Sequence, residues 1–176
     1  MTRKELRSFV KDKLKAEGFI SQNRYLYKII DEDYLIGIHL DPSTYCKGYG
    51  LVCGVIYLPD ELKFPLCGRY DLQWTFCFPR NVGQKLDLTK YEDDTSLTTV
   101  FEYENHSVEQ FEEYFELNYE RFIVPLFNKE FGLEMFRKDW RLMNRFSVQT
   151  VNKLCQRASL DTQTVLKYLG KMPHKA

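Results

Sequence analysis

Tyr49–Pro59, YGLVCGVIYLP, decides the fold, because it is a long run without a charge and without helical spacing. Split at period two, it places Tyr49, Leu51, Cys53, Val55 and Tyr57 on one face and Gly50, Val52, Gly54, Ile56 and Leu58 on the other. Both faces are apolar, so the segment reads as a central strand covered on both sides. Gly50 and Gly54 share a face and provide clearance there, which predicts close approach of another backbone or of one of the helices.

Upstream, Arg24–Ile30 alternates with Tyr25, Tyr27 and Ile29 on one side, and Tyr34–Leu40 alternates with Tyr34, Ile36, Ile38 and Leu40. Asp31-Glu32-Asp33 between them is a polar turn, so the two form a hairpin. A helix precedes them over residues 3–17. Thr2 and Glu5 have capping-box spacing, Leu6, Phe9, Val10 and Leu14 recur at helical intervals, and Gly18 stands at the expected C-terminal cap. Arg3, Lys4, Arg7, Lys11 and Lys15 make its outer face basic.

Downstream, Pro59 and Pro65 bracket the charged stretch Asp60-Glu61-Leu62-Lys63, and Leu72, Trp74, Phe76 and Phe78 alternate as a fourth strand. Residues 80–96 are polar and read as a surface connection, and a fifth strand follows at Leu97–Tyr103. Ser107 then caps a long helix whose inward stripe is Val108, Phe111, Phe115, Phe122 and Leu126, and Pro125 kinks or ends it. After Phe131-Gly132 the pattern is wholly helical: Leu133–Asn144 with Phe136, Trp140 and Met143, a second helix from Ser147, and a third over Thr162–Leu169 closed by Gly170. The fold class is therefore α+β, an antiparallel sheet of about five strands with helices packed on it, divided as residues 1–131 and a small helical segment 132–176.

The 176 residues are enough for a sizeable core, and with 13 Phe and 12 Tyr that core is aromatic. No apolar run reaches the roughly 20 residues of a bilayer span, and the opening MTRKELRSFVKDKLK has no signal-peptide core, so a cytosolic protein that does not enter the membrane is expected. Five cysteines, at 46, 53, 67, 77 and 155, show no C-x-x-C spacing and read as free thiols.

A formal net charge of zero hides a division. Residues 1–136 hold 16 Lys and Arg against 23 Asp and Glu, whereas residues 137–176 hold nine against two. Such asymmetry points to a protein partner, to nucleic acid bound through 137–176, or to a basic tail that docks on the acidic part of its own chain. It leaves the oligomeric state open.

No motif specifies a reaction. His39, with Asp41 and Cys46 near it in sequence, invites a metal or Cys-His pair, but Asp41 precedes a proline as a turn residue, so no metal is assigned. His106 precedes a helix cap, and His174 lies in the tail. Glu109, Glu112, Glu113, Glu116 and Glu120 form the solvated side of the long helix, and Glu92-Asp93-Asp94 lacks the alternation of a calcium loop. Without phosphate-binding glycine motifs or a G-x-S-x-G elbow, no cofactor and no catalytic residue are assigned. Tyr25, Tyr27, Tyr45, Tyr49, Tyr70 and Trp74 would make a binding platform if exposed together, although alternation places most of them in the core.

Two resemblances follow from particular strings. LKAEGFISQNRYLYKI, YGLVCGVIYLP, CGRYDLQW and VPLFNKEFGLEMF, in that order, resemble the domain of unknown function 4304 family over the first 145 residues or so. That family is a bacterial group with an N-terminal helix and a meandering antiparallel sheet. The resemblance implies an interaction or immunity-type protein, and it supplies no catalytic residues. VNKLCQRASLDTQTVLKYL is similar to the helix-turn-helix of lactose-repressor-type regulators, with Ala158, Leu160, Gln163-Thr164-Val165 and Leu169 in register. Ser159 replaces the usual turn glycine, and Cys155 the small alanine of the first helix. The resemblance implies that Thr162, Gln163 and Lys167 face a major groove while Arg157 and Lys171 touch phosphates.

The leading expectation is a non-enzymatic protein that binds another macromolecule. DNA binding through the C-terminal helices is the alternative, and an enzyme whose site assembles only in three dimensions is the third.

Overall fold

The computed structural model describes residues 1–22, 24–57, 72, 74–78, 100–144 and 146–172. The chain divides into two compact units, Met1–Phe127 and Asn128–Ala176. The boundary falls just ahead of Phe131-Gly132, because a helix already begins at Lys129.

The first unit is an antiparallel sheet with helices against it. α1 (Arg3–Ala16) starts with the expected capping box between Thr2 and Glu5. It ends at Gly18, whose φ of 85° lets Phe19 N–H reach back to Leu14 C=O at 2.9 Å. Six strands follow: β1 (Ile20–Gln22), β2 (Tyr25–Asp31), β3 (Tyr34–Pro42), β4 (Gly48–Tyr57), β5 (Trp74–Cys77) and β6 (Val100–Glu102). β1 to β5 are neighbours in chain order. β5 pairs with Val52–Val55 of β4, and β6 pairs with Gly48–Gly50, so two short strands share one edge end to end. β1 escaped the sequence reading because three residues are too few for alternation to register. The expected strands at 72–78 and 97–103 are observed only over Trp74–Cys77 and Val100–Glu102, and residues 97–99 lie outside the described residues. So do the 58–71 excursion, the 80–96 connection and Tyr70.

β4 is the central strand that its sequence predicts, buried along its whole length. The register assigns Tyr34, Ile36, Ile38 and Leu40 to one side with Tyr57, Val55, Cys53 and Leu51, and Leu35, Gly37 and His39 to the other with Ile56, Gly54 and Val52. A further glycine, Gly37 of β3, joins the glycine face. Gly37 stands directly opposite Gly54, and a Cβ on Gly37 would lie 2.5 Å from Leu72 Cδ2. Leu72 packs there with Tyr25, Leu35 and Ile56. At Gly37 the clearance admits the Leu72 side chain. Leu72 also departs from the alternation that grouped it with Phe78, whose ring lies with Tyr114, Phe115 and Phe122.

α2 (Val108–Asn118) starts at a capping box between Ser107 and Gln110. The long helix expected here is interrupted earlier than Pro125: Tyr119–Ile123 forms a π turn and Val124–Phe127 a 3-10 turn. Its buried stripe is Phe111, Tyr114, Phe115 and Asn118 rather than one beginning at Val108, which is half-buried. Phe115 is the hub, with the rings of Phe9, Phe78, Phe111 and Tyr119 between 5.6 and 6.1 Å away. Tyr34 reaches this layer and donates to Leu126 C=O at 2.6 Å, satisfying a buried carbonyl beside the proline.

In the second unit α3 spans Lys129–Lys138, followed by a 3-10 turn Trp140–Met143, α4 (Val148–Arg157) and α5 (Thr162–Tyr168). The single helix expected over Leu133–Asn144 is thus corrected. It begins earlier, at the Asn128 cap, and breaks at Asp139, whose φ of −139° and ψ of 100° are extended and whose carboxylate accepts Arg141 N–H at 3.0 Å.

Candidate interaction surfaces

α4, the turn and α5 occupy the stretch that resembles a helix-turn-helix. Ser147 caps α4 by accepting from Thr150 N–H, and Val151, Leu154, Cys155 and Ala158 form its buried side. Asp161 caps α5, accepting from Thr164 N–H at 2.9 Å and from the Thr164 hydroxyl. Those hydrogen bonds hold the Asp161 carboxyl below its ordinary value. Between the helices Ser159 adopts φ 55°, the only non-glycine residue with positive φ among those described. Leu160 N–H then reaches Cys155 C=O at 2.8 Å, the same closure that Gly18 provides for α1 and Gly170, at φ 64°, for α5. Cys155, in place of alanine, is fully buried, and burial raises its thiol pKa.

The turn is braced from α3. Arg137 donates through Nε to Ala158 C=O at 2.9 Å and pairs with Glu130 and Glu134, each at 3.2 Å. Of the five expected nucleic-acid contacts, Gln163 and Lys167 are exposed and Thr162 is half-buried, all three on α5. Arg157 is half-buried at the end of α4. Lys171 spends its ammonium on Phe146 C=O at 2.8 Å, a structural tie between the segments flanking the helix pair. Val165 and Leu166, between Gln163 and Lys167, are buried and anchor α5.

The other charged elements lie on the first unit. Glu109, Glu112, Glu113 and Glu120 are exposed along α2 and the turn after it, while Glu116 pairs with Lys13 of α1 at 2.5 Å. On α1, Arg3, Lys4, Arg7, Ser8 and Lys11 line an open depression. Arg3 is held at its end by donating to Tyr49 Oη at 2.6 Å, with its guanidinium 5.6 Å from the ring centre. This depression was missed in sequence, where a basic helix face reads as solvated.

Among the described residues His39 and His106 are far apart in role. His39 is half-buried on the glycine face, its ring 4.7 Å from that of Tyr25, and His106 bonds Glu102 C=O at 2.8 Å through Nδ1. Among the described residues no group of three His, Cys, Asp or Glu is placed to hold a metal. Cys53 is fully buried, and desolvation raises its thiol pKa well above the ordinary range. Of the tyrosines considered for a platform, Tyr25 and Tyr49 are buried, Tyr27 is half-buried and Tyr45 is 98% exposed. Among the described residues no helix is long and apolar enough to cross a membrane.

The fold and these surfaces define an α+β chain with charged helical faces. Comparison with known proteins finds no matching family model, no matching curated protein and no matching solved structure.

Proposed function

We propose that this chain is a non-enzymatic binding protein that engages another macromolecule through its charged helical surfaces, in the manner of an immunity- or inhibitor-type protein. The supporting observation is the segregation of charge between the two units. Asn128–Ala176 holds ten Lys and Arg against four Asp and Glu, and Met1–Phe127 holds 15 against 21. The exposed glutamate row of α2 and the cationic face of α1 repeat that separation on the scale of single helices. Arranged this way, charge selects partners and orients their approach more than it adds affinity. The resemblance to the domain of unknown function 4304 family and a cytosolic bacterial setting belong to the same proposal.

The test is co-purification of the tagged chain from its own cells at two ionic strengths. A macromolecular partner retained at low salt and released as the Debye length shrinks is the expected result. Retention indifferent to salt would remove the electrostatic mechanism.

A second reading is DNA binding through α4 and α5, supported by Gln163 and Lys167 standing exposed on α5. Anisotropy with mixed-sequence duplex DNA tests it: affinity should fall steeply with salt, and Gln163→Ala with Lys167→Ala should abolish specific binding. Because both side chains are exposed, the pair should leave the fold intact. No binding at low salt sinks this reading.

A further inference from the structure

We propose that the depression on α1 is a docking site for an acidic segment of a partner protein; this deepens the binding-protein reading above and rests on it. Arg3, Lys4, Arg7 and Lys11 bring four cations within about 12 Å along the helix axis, at 1.5 Å per residue. Arg3, Arg7 and Lys11 recur at i, i+4, a spacing at which like charges weaken a helix. Among the described residues no carboxylate pairs with any of the four, whereas Lys13 on the same helix is neutralised by Glu116. Arg3 is already positioned by Tyr49, and Arg7 and Lys11 are half-buried, so part of the ordering that a ligand would require is present beforehand.

The chemistry of the lining distinguishes the occupant. The Arg and Lys heads offer only donors to an anion, Ser8 already donates to Asp12 at 3.1 Å, and none of the five lining residues is aromatic, so a single-stranded nucleic acid would find no surface on which to stack its bases. None is a large apolar residue that would insert into a bilayer. The unit carrying the depression holds 21 acidic residues against 15 basic ones, which opposes a long uniform polyanion but not a short acidic stretch. Carboxylates of a Glu- or Asp-rich segment fit both the donors and the length.

The test is fluorescence anisotropy of the full chain with a labelled oligo-glutamate peptide at low salt. Binding should weaken as salt rises, and Arg7→Glu with Lys11→Glu should weaken it by about tenfold or more. Arg7→Gln with Lys11→Gln should weaken it less, and Lys13→Gln should leave it unchanged. Circular dichroism confirms that each variant is folded, and the neutral pair supplies the answer if the charge-reversed pair is not. Equal binding by parent and both double variants overturns the proposal. So does tighter binding of oligo-dT or of anionic vesicles that the same variants abolish, which would give the face to nucleic acid or lipid. If the peptide fails to bind while the co-purified partner still leaves with salt, the α1 assignment falls and the binding-protein reading stands.

Discussion

The two units hold their elements in place by different means. In Met1–Phe127 the elements are tied by register and by aromatic rings that meet from distant parts of the chain, as Phe9, Phe78, Phe101 and Phe115 do around α2. In Asn128–Ala176 the helices are short, with single side chains capping their starts (Asn128, Asp139, Ser147 and Asp161) and left-handed backbone at Ser159 and Gly170 closing α4 and α5. Both units have buried cores, but the first gathers large rings into one cluster, whereas the second packs smaller side chains between short capped helices. Damage should therefore register differently in each.

The largest effect belongs to the ring cluster. Phe115→Ala removes the hub and should cost about 3–5 kcal/mol, read from chemical denaturation together with hydrogen exchange across β3 and β4. A cost below that of a cap deletion would mean the rings pack without specificity.

Next comes the glycine face. Gly37→Val sets a Cβ against Leu72 and should cost about 1–3 kcal/mol by overpacking. Adding Leu72→Ala should return part of the loss, so the two changes should be non-additive in a double-mutant cycle. Simple additivity would break the assignment of Leu72 to that face.

In the second unit the sign reverses. Ser159→Gly should stabilise by about 1 kcal/mol, because a left-handed φ is costly for a residue with a Cβ. Ser159→Val should destabilise. A destabilising glycine would show that the serine hydroxyl matters more than the backbone.

The smallest effect is the pH response of the α5 cap. Asp161 has a lowered folded-state pKa, so its contribution is present above the unfolded carboxyl value and is lost as pH falls through the folded one, below about pH 4. Asp161→Asn keeps a capping oxygen without that titration. Exchange of the α5 amides should then lose its acid-dependent step while remaining protected near neutrality.

How far these features were legible in sequence follows the same divide. The Thr2, Ser107 and Ser147 caps, the inward row of β4 and the Gly170 stop are local patterns, and each is observed where its residues predict it. Leu72 and Asp139 were misread because their positions depend on partners that no period encodes: a glycine on another strand for one, a neighbouring arginine for the other. The π turn after Asn118 was hidden by Pro125, which drew the expected break several residues too late. On the surface, sequence located the helix pair and its exposed Gln163 and Lys167, but not the arginine that braces the turn, since Arg137 belongs to another helix. The α1 depression was legible only as a basic face. Whether a charge is paired depends on which helix packs beside it, and Lys13, unlike Lys11, meets Glu116 of α2.

The split edge of β4 bears on the order of events as the chain folds. β2, β3 and β4 meet through short connections and can zip together early, whereas Val100–Glu102 must close a long loop to reach Gly48–Gly50. Loop-closure entropy thus predicts that β6 joins late, as a latch on a sheet already formed. Phe101→Ala, at the middle of that latch, should speed unfolding in stopped-flow experiments and leave the refolding rate nearly unchanged. Slowed refolding would instead place the latch in the transition state.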